Sequence, residues 1–321
     1  MYIILKSDRP DIVFCDLVSV CIPILKLRIP AVIFYCHHPD QLLTTYESRL
    51  KKLYRAPLNY LEEITMGSAD KIFVNSLYTK SVCKSTFKRL NIEPRTKVLY
   101  PSINTAFFDQ VQILAMERVL DKRMLPGICF ILSINRYERK KELETAIQAL
   151  ADLKKHLTAE EFRKVFLLMA GGYDKRVAEN VEYYLELISL ADELDVAEKV
   201  CFLRSPTDIE KVSILMNCDI LIYTPPNEHF GIVPLEAMYA SKPVIAHNSG
   251  GPKESVIDNV TGYLVEKSNF SKQLANLIKN KPLRIQFGEA GKKCFQEKFS
   301  FQAFSDSLNL AIMEITLTKL Q

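Results

Sequence analysis

The chain has 321 residues, of which 48% are hydrophobic and 25% charged, and a net charge of +4. These are globular values for about two domains, and they exclude a disordered or fibrous protein. Ten glycines rule out collagen-like and flexible-linker architectures. The weak positive balance gives no basis for nucleic-acid binding, although it suits phosphate-bearing small molecules or an anionic membrane surface.

The eight cysteines (Cys15, Cys21, Cys36, Cys83, Cys129, Cys201, Cys218, Cys294) are scattered, with no C-x-x-C spacing. That argues against a zinc knuckle or a redox pair and reads as reduced, buried thiols in a cytosolic compartment. The sequons at Asn259 and Asn269 are expected to be unmodified. Lys6, Asp8 and Arg9 interrupt the apolar start, and Asp16, Pro23 and Lys26 interrupt the longest apolar stretch, so neither a secretory signal nor a membrane span is read.

In chain order, short β-branched runs alternate with longer amphipathic segments, the pattern of a parallel sheet covered by helices. Strands are expected over 12–15, 31–36, 71–74 and 97–100, with helices over 48–65 and 79–90. Regularity fails between Asn104 and Gly127, where a domain boundary is placed. A second series follows, with strands over 129–134, 165–170, 200–203, 218–223, 243–246 and 262–265 and helices such as 140–156 and 175–193. Six strands with intervening helices make a complete doubly wound domain, whereas the first domain offers only four. The spacing of Phe301, Phe304, Leu308, Ile312 and Ile315 predicts an amphipathic helix over 300–317 that packs on the domains.

Chemistry gathers at strand ends. Tyr223-Thr-Pro-Pro-Asn-Glu-His-Phe-Gly-Ile-Val-Pro-Leu-Glu-Ala-Met238 reads as a buried strand, a proline-rich turn and a helix opening near Gly231. Ligands of open α/β sheets bind beyond the carboxyl ends of strands. The first-turn amides of Gly231, Ile232 and Val233 would face an anion there, aided by the helix dipole, and Pro234 loses no intrahelical bond. Glu228 stands just before the helix and Glu236 within it, so one carboxylate faces the anion and the other lies deeper. Such a pair suits sugar and ribose hydroxyls; taken singly, either reads as an ordinary solvated glutamate.

Leu132-Ser-Ile-Asn-Arg-Tyr-Glu-Arg-Lys-Lys141 follows the first strand of the second series. Arg136 at the strand end and Lys141 at the next helix start can converge on a diphosphate, although alone such a cluster reads as a solvated face. Ala170-Gly-Gly-Tyr-Asp174 and Asn248-Ser-Gly-Gly-Pro252 put glycines at two further strand ends, where tight turns need them. No G-x-G-x-x-G fingerprint or Walker loop occurs.

On these residues the chain resembles glycosyltransferase family 4. The shared features are the Glu228–Glu236 pair with seven residues between, the Arg136–Lys141 element and the Ser-Gly-Gly-Pro turn. Tyr35-Cys-His-His-Pro-Asp40, Arg55-Ala-Pro57 and Asn227-Glu-His-Phe-Gly-Ile-Val-Pro-Leu-Glu-Ala-Met-Tyr239 are similar to the branch that transfers mannose in the dolichol pathway. The likeness runs from Asp11 to Phe304 and is weakest over 107–129. It implies an α/β protein of GT-B architecture with two Rossmann-like doubly wound domains, the first incomplete. The expected division is an acceptor-side domain over 1–122, a donor-binding domain over 123–299 and a C-terminal helix over 300–321 packing back across them.

The resemblance also implies a retaining enzyme that needs no metal or other cofactor. It would move mannose from GDP-mannose to a dolichol-diphosphate-linked mannosyl-chitobiose acceptor, forming α-1,3 and α-1,6 linkages. The place would be the cytosolic face of the endoplasmic reticulum membrane, beside other early dolichol-pathway glycosyltransferases. Alternatives are a family 4 enzyme with another sugar nucleotide, or a donor-binding scaffold without turnover. Carried over by motif, Arg136 and Lys141 hold the diphosphate and Glu228 contacts the donor mannose. Gly231, Ile232 and Val233, with Phe230, face phosphate or sugar. Glu236 takes the ribose, and Gly172 and Gly250 approach the donor. His37 joins Glu228, Arg136 and Lys141 as a catalytic residue, its alternative being a capping or core histidine; His38 is given no role. The segment Arg49, Lys51, Lys52, Leu53, Tyr54, Arg55 meets the membrane or the acceptor pyrophosphate, or is a solvated helix face.

Family members begin with a strand, a Gly-Gly-Ala-Glu-type loop and a helix, and residues 1–10 contain no glycine. The first domain is therefore expected to lack about three strands, leaving edges unpaired and helix faces uncovered. GDP binding by the second domain and little mannose transfer are expected of this chain alone.

Overall fold

The computed structural model describes residues 9–43, 48–91, 93–121 and 127–319. Contacts divide the chain into two units, Met1–Pro101 together with Phe301–Gln321, and Ser102–Ser300.

In the first unit β1 (Ile12–Asp16), β2 (Ala31–Cys36), β3 (Lys71–Val74) and β4 (Thr96–Val98) lie side by side in that order, all parallel. β2 is Ala-Val-Ile-Phe-Tyr-Cys and buried at every position, as a strand covered on both faces must be. Among the described residues β1 pairs only with β2, and Phe14 within it and Leu17 and Val18 after it are exposed. Serine caps start two helices of this unit: Ser48 Oγ accepts from Lys51 N–H at α1 (Arg49–Gly67), and Ser76 Oγ from Thr79 N–H at α2 (Leu77–Thr86). Val32, Phe34, Ile72 and Val74 pack with Met66, Cys83 and Phe87 in one cluster. Ile33, Tyr35, Phe73 and Leu99 form another with Phe304, Leu308, Ala311 and Ile315 of the C-terminal helix, Phe301–Lys319. Glu314 of that helix pairs with Lys97 and Lys71, whose hydrogen bonds drop its carboxyl pKa to about 2.

In the second unit the strands are β5 (Cys129–Ile134), β6 (Val165–Gly171), β7 (Val200–Arg204), β8 (Ile220–Tyr223), β9 (Val244–His247) and β10 (Gly262–Val265). They form a parallel sheet in the order β10-β9-β8-β5-β6-β7. The winding reverses between β5 and β8, and a doubly wound sheet holds its ligand in the crevice beyond that point. The helices that bear on the site are α3 (Glu144–Asp152), α4 (Ala178–Glu193), α5 (Asp208–Asn217) and α6 (Ile232–Tyr239).

Two expected elements are revised here, the helix over 140–156 and the strand over 218–223. The helix expected over 140–156 is broken: Arg139–Lys141 is a 3-10 turn, Glu142 is left-handed at φ +46°, and α3 begins only at Glu144. Its cause is tertiary, since the Leu143 N–H bonds to the Tyr183 hydroxyl at 2.7 Å. The strand expected from 218 begins at Ile220, because the Cys218 N–H closes α5 on the Ile214 carbonyl and Asp219 bonds the backbone of Phe130. The expected boundary between 122 and 123 lies outside the described residues, and 102–121 group with the second unit. Leu114 N–H donates to Ser213 Oγ at 2.9 Å, and Asn217 Nδ2 to the Leu114 carbonyl at 3.0 Å. The C-terminal helix, expected to span the domains, groups with the first unit through the apolar contacts described above. Among the described residues no helix is long and apolar enough to cross a membrane.

Candidate active site

The carboxyl ends of β5, β6, β7 and β8 surround a cavity of about 520 Å³ lined by Arg136, Lys141, Gly172, Tyr223, Glu228 and the Gly231–Val233 turn, among others. Lys141 is carried in by the 139–141 turn, and Thr224 Oγ1 donates to its carbonyl at 2.8 Å. Its ammonium meets Glu228 Oε2, to which the Tyr223 hydroxyl also donates at 3.3 Å. Burial works against ionisation of Glu228, but the Lys141 ammonium outweighs it and the carboxyl lies below its ordinary pKa.

Arg136 lines the same cavity from an exposed position, 63% accessible and paired with Glu138 at 2.9 Å. Lys141 therefore sits in the turn before α3 rather than at a helix start, and is the more buried of the two cations at 13%. Gly171 and Gly172 let the β6 end lie against the β5 loop; a Cβ at Gly171 would sit 1.8 Å from the Asn135 carbonyl oxygen. Gly231, at φ +83°, is the N-cap of α6, whose first residues are Ile232 and Val233. These free first-turn amides give the cavity a wall of donors at the positive end of the helix.

Glu236 lies deeper, in α6. Its Oε1 accepts from Lys211 Nζ at 2.6 Å, while Oε2 is buried without a hydrogen-bond partner. Here burial outweighs the lysine, and the carboxyl pKa is raised. Glu236 lines an adjoining cavity of about 350 Å³ with Ser102, Asn104 and Asp208, and Lys211 and Ile232 line both cavities. A buried acceptor without a donor is what a ligand hydroxyl would satisfy.

Besides Glu236, the expected residues Phe230, Gly250 and His37 do not line the main cavity. Phe230 is 4% exposed and packs on Phe299, with ring centroids 6.0 Å apart. Gly250 supports the site from behind: at φ +64°, its absent Cβ would lie 2.4 Å from the Glu228 carbonyl oxygen, to which the Gly251 N–H donates. His37 belongs to the first unit, at the end of β2, with Nε2 2.8 Å from Asp16 Oδ1 and its ring against Tyr35. Tyr223, Lys211, Asn135 and the Ser205-Pro206 turn were not expected in the cavity. Tyr223 looks like the last core residue of a strand, and Lys211 like one more charge on an amphipathic helix. Among the described residues no cluster of His, Cys, Asp and Glu side chains is placed to hold a metal ion.

Residues 128–294 match the family of glycosyl transferases group 1. The mouse α-1,3/1,6-mannosyltransferase ALG2 is 50% identical over 309 residues, covering 95% of this chain and 73% of the mouse protein. This chain belongs to that family of group 1 glycosyltransferases. The human member is 48% identical over 315 residues, covering 96% of this chain and 74% of its own. The family fold is GT-B: sucrose-phosphate synthase from Thermosynechococcus elongatus superposes with a TM-score of 0.72 at 19% identity, over 96% of this chain and 74% of that one. Within the family the chain is a glycosyltransferase of the mannosyltransferase branch.

Proposed function

We propose that the chain transfers mannose from GDP-mannose, with retention, to a dolichol-diphosphate-linked mannosyl-chitobiose acceptor, forming α-1,3 and α-1,6 linkages. The observation that carries this reading is the Lys141–Glu228 pair at the mouth of α6, with Glu236 behind it. Sugar transfer requires a diphosphate to leave while positive charge develops at the anomeric carbon. Arg136, Lys141 and the α6 amides would hold the growing negative charge, and such preorganised donors are the largest contribution in reactions of this kind. Glu228, ionised beside Lys141, would accept from mannose hydroxyls. The unpartnered Glu236 Oε2 would accept from the ribose, and no side chain need form a covalent intermediate.

His37, held by Asp16, is the acceptor-side residue of this reading. The proposed place is the cytosolic face of the endoplasmic reticulum membrane, in company with other early dolichol-pathway glycosyltransferases. Support for a membrane surface comes from α1, where Leu50, Leu53 and Tyr54 are exposed among Arg49, Lys51, Lys52 and Arg55. The test is calorimetric titration with GDP-mannose, UDP-glucose and UDP-N-acetylglucosamine, followed by transfer to a synthetic lipid-linked acceptor. Preference for GDP-mannose is expected; preference for either UDP-sugar would reassign the donor.

A further inference from the structure

We propose that Tyr223 positions the Glu228 carboxylate in the donor site, keeping it aimed at the sugar when the diphosphate draws Lys141 away. The inference rests on the donor-site reading above and adds a residue that neither the motifs nor the family resemblance singled out.

β8 is short, and its alternation decides where the phenol goes. Ile220 and Ile222 enter the main core cluster, so Tyr223 turns to the other face at the carboxyl end of the strand. There it is 3% exposed and lines the 520 Å³ cavity. Its ring lies against Gly231: a Cβ at that glycine would be 3.2 Å from Tyr223 Cε1 and 3.3 Å from the hydroxyl oxygen. The ring is thus clamped between the strand and the start of α6.

The hydroxyl donates to Glu228 Oε2, the oxygen that Lys141 also engages. These two donors differ in what else can claim them. Lys141 is a flexible cation beside a cavity lined by Arg136 and the α6 turn, and an arriving diphosphate competes with Glu228 for it. Tyr223 is neutral and held in place. Burial, reinforced by the Glu228 charge, raises its pKa well above the ordinary phenol value, so the proton stays on the oxygen at working pH. When Lys141 turns to the phosphates, Tyr223 remains as a side-chain donor on Glu228, beside the His229 backbone N–H, and preserves its orientation toward the mannose hydroxyls.

The test uses the full chain, calorimetry with GDP and GDP-mannose, and the variants Tyr223→Phe, Glu228→Gln and their combination. Tyr223→Phe keeps the ring on Gly231 and removes only the hydroxyl. Its GDP affinity should stay within about twofold of the parent, while GDP-mannose affinity falls roughly tenfold, as for loss of one hydrogen bond to a charged group. In the Glu228→Gln background the same change should leave both affinities unaltered, because the carboxylate it serves is gone. Parent-like GDP-mannose affinity in Tyr223→Phe, or losses that simply add in the double variant, would overturn the proposal. A large loss of GDP affinity in Tyr223→Phe would also overturn it, by showing that the phenol holds the cavity rather than the carboxylate. Parent-like GDP-mannose binding by Glu228→Gln alone would instead overturn the donor-site reading, and this proposal with it.

Discussion

Two glutamates eight residues apart, each paired with one lysine, are driven in opposite directions by depth. Glu228 keeps 21% of its side chain accessible and its pKa falls; Glu236 keeps 10% and its pKa rises. For Glu228 the unfolded chain takes up the proton first as pH falls. Its stabilising contribution is therefore complete above about 4.5 and is lost as pH drops through the lower folded value. For Glu236 the folded chain holds the proton longer, so its contribution declines as pH rises from 4.5 through the raised value. Glu236→Gln should accordingly melt no lower than the parent at pH 7 without nucleotide, yet bind GDP about tenfold more weakly. Glu228→Gln should fold normally and lose about a hundredfold in turnover, as for a group acting on developing charge. Thermal melting, calorimetry and transfer assays check both. Lys141→Ala should weaken GDP binding by roughly 1.5–3 kcal/mol, and exposed Arg136→Ala by less. Equal GDP affinity in parent and Lys141→Ala would remove the lysine from the diphosphate site.

Three side chains of one helix brace the loop that carries Lys141. Asn180 Nδ2 donates to the Tyr137 carbonyl at 2.9 Å, the Glu179 carboxylate accepts from Arg139 N–H at 2.9 Å, and the Tyr183 hydroxyl accepts from Leu143 N–H. All three side chains project from α4, so the turn is placed by a face of a helix rather than by its own propensity. Tyr183→Phe should cost about 1 kcal/mol in urea unfolding and weaken GDP binding through a misplaced Lys141. In the first unit the C-terminal helix docks through Ala311 and Ile315, which are 1% and 6% exposed. Ile315→Ala should destabilise that unit by about 2–4 kcal/mol, read from the denaturant midpoint. A change below about 0.5 kcal/mol would mean that the docking is loose.

At the scale of the molecule, the second unit has its own sheet, its own core and every residue of the 520 Å³ cavity. A fragment comprising residues 102–300 should fold cooperatively and bind GDP within about threefold of the full chain. On the proposed function it should transfer no mannose, because the acceptor-side residue of that reading, His37, and the basic face of α1 belong to the other unit. Circular dichroism melts and calorimetry decide the first outcome, and the lipid-linked acceptor assay the second. Failure of the fragment to fold would mean that the first unit supports the second.

The strands were legible from sequence wherever a short β-branched run is buried on both faces, as in β2 and β5, because composition over four to six residues reports burial. The gathering of Arg136, Lys141, Gly172, Glu228 and Gly231 around one cavity at the strand ends was legible too, since they stand at fixed distances from those runs. What tertiary structure alone decided are relations between residues far apart in the chain. The Leu143–Tyr183 bond breaks a helix that periodicity continues, and Leu114 with Ser213 and Asn217 assigns 102–121 to the second unit. The Lys141–Glu228 contact joins positions 87 residues apart and depresses one carboxylate, while the depth of α6 raises the other and leaves Glu236 Oε2 unpartnered. Local pattern reports how much of a side chain is buried; only the folded chain determines which partner it meets there.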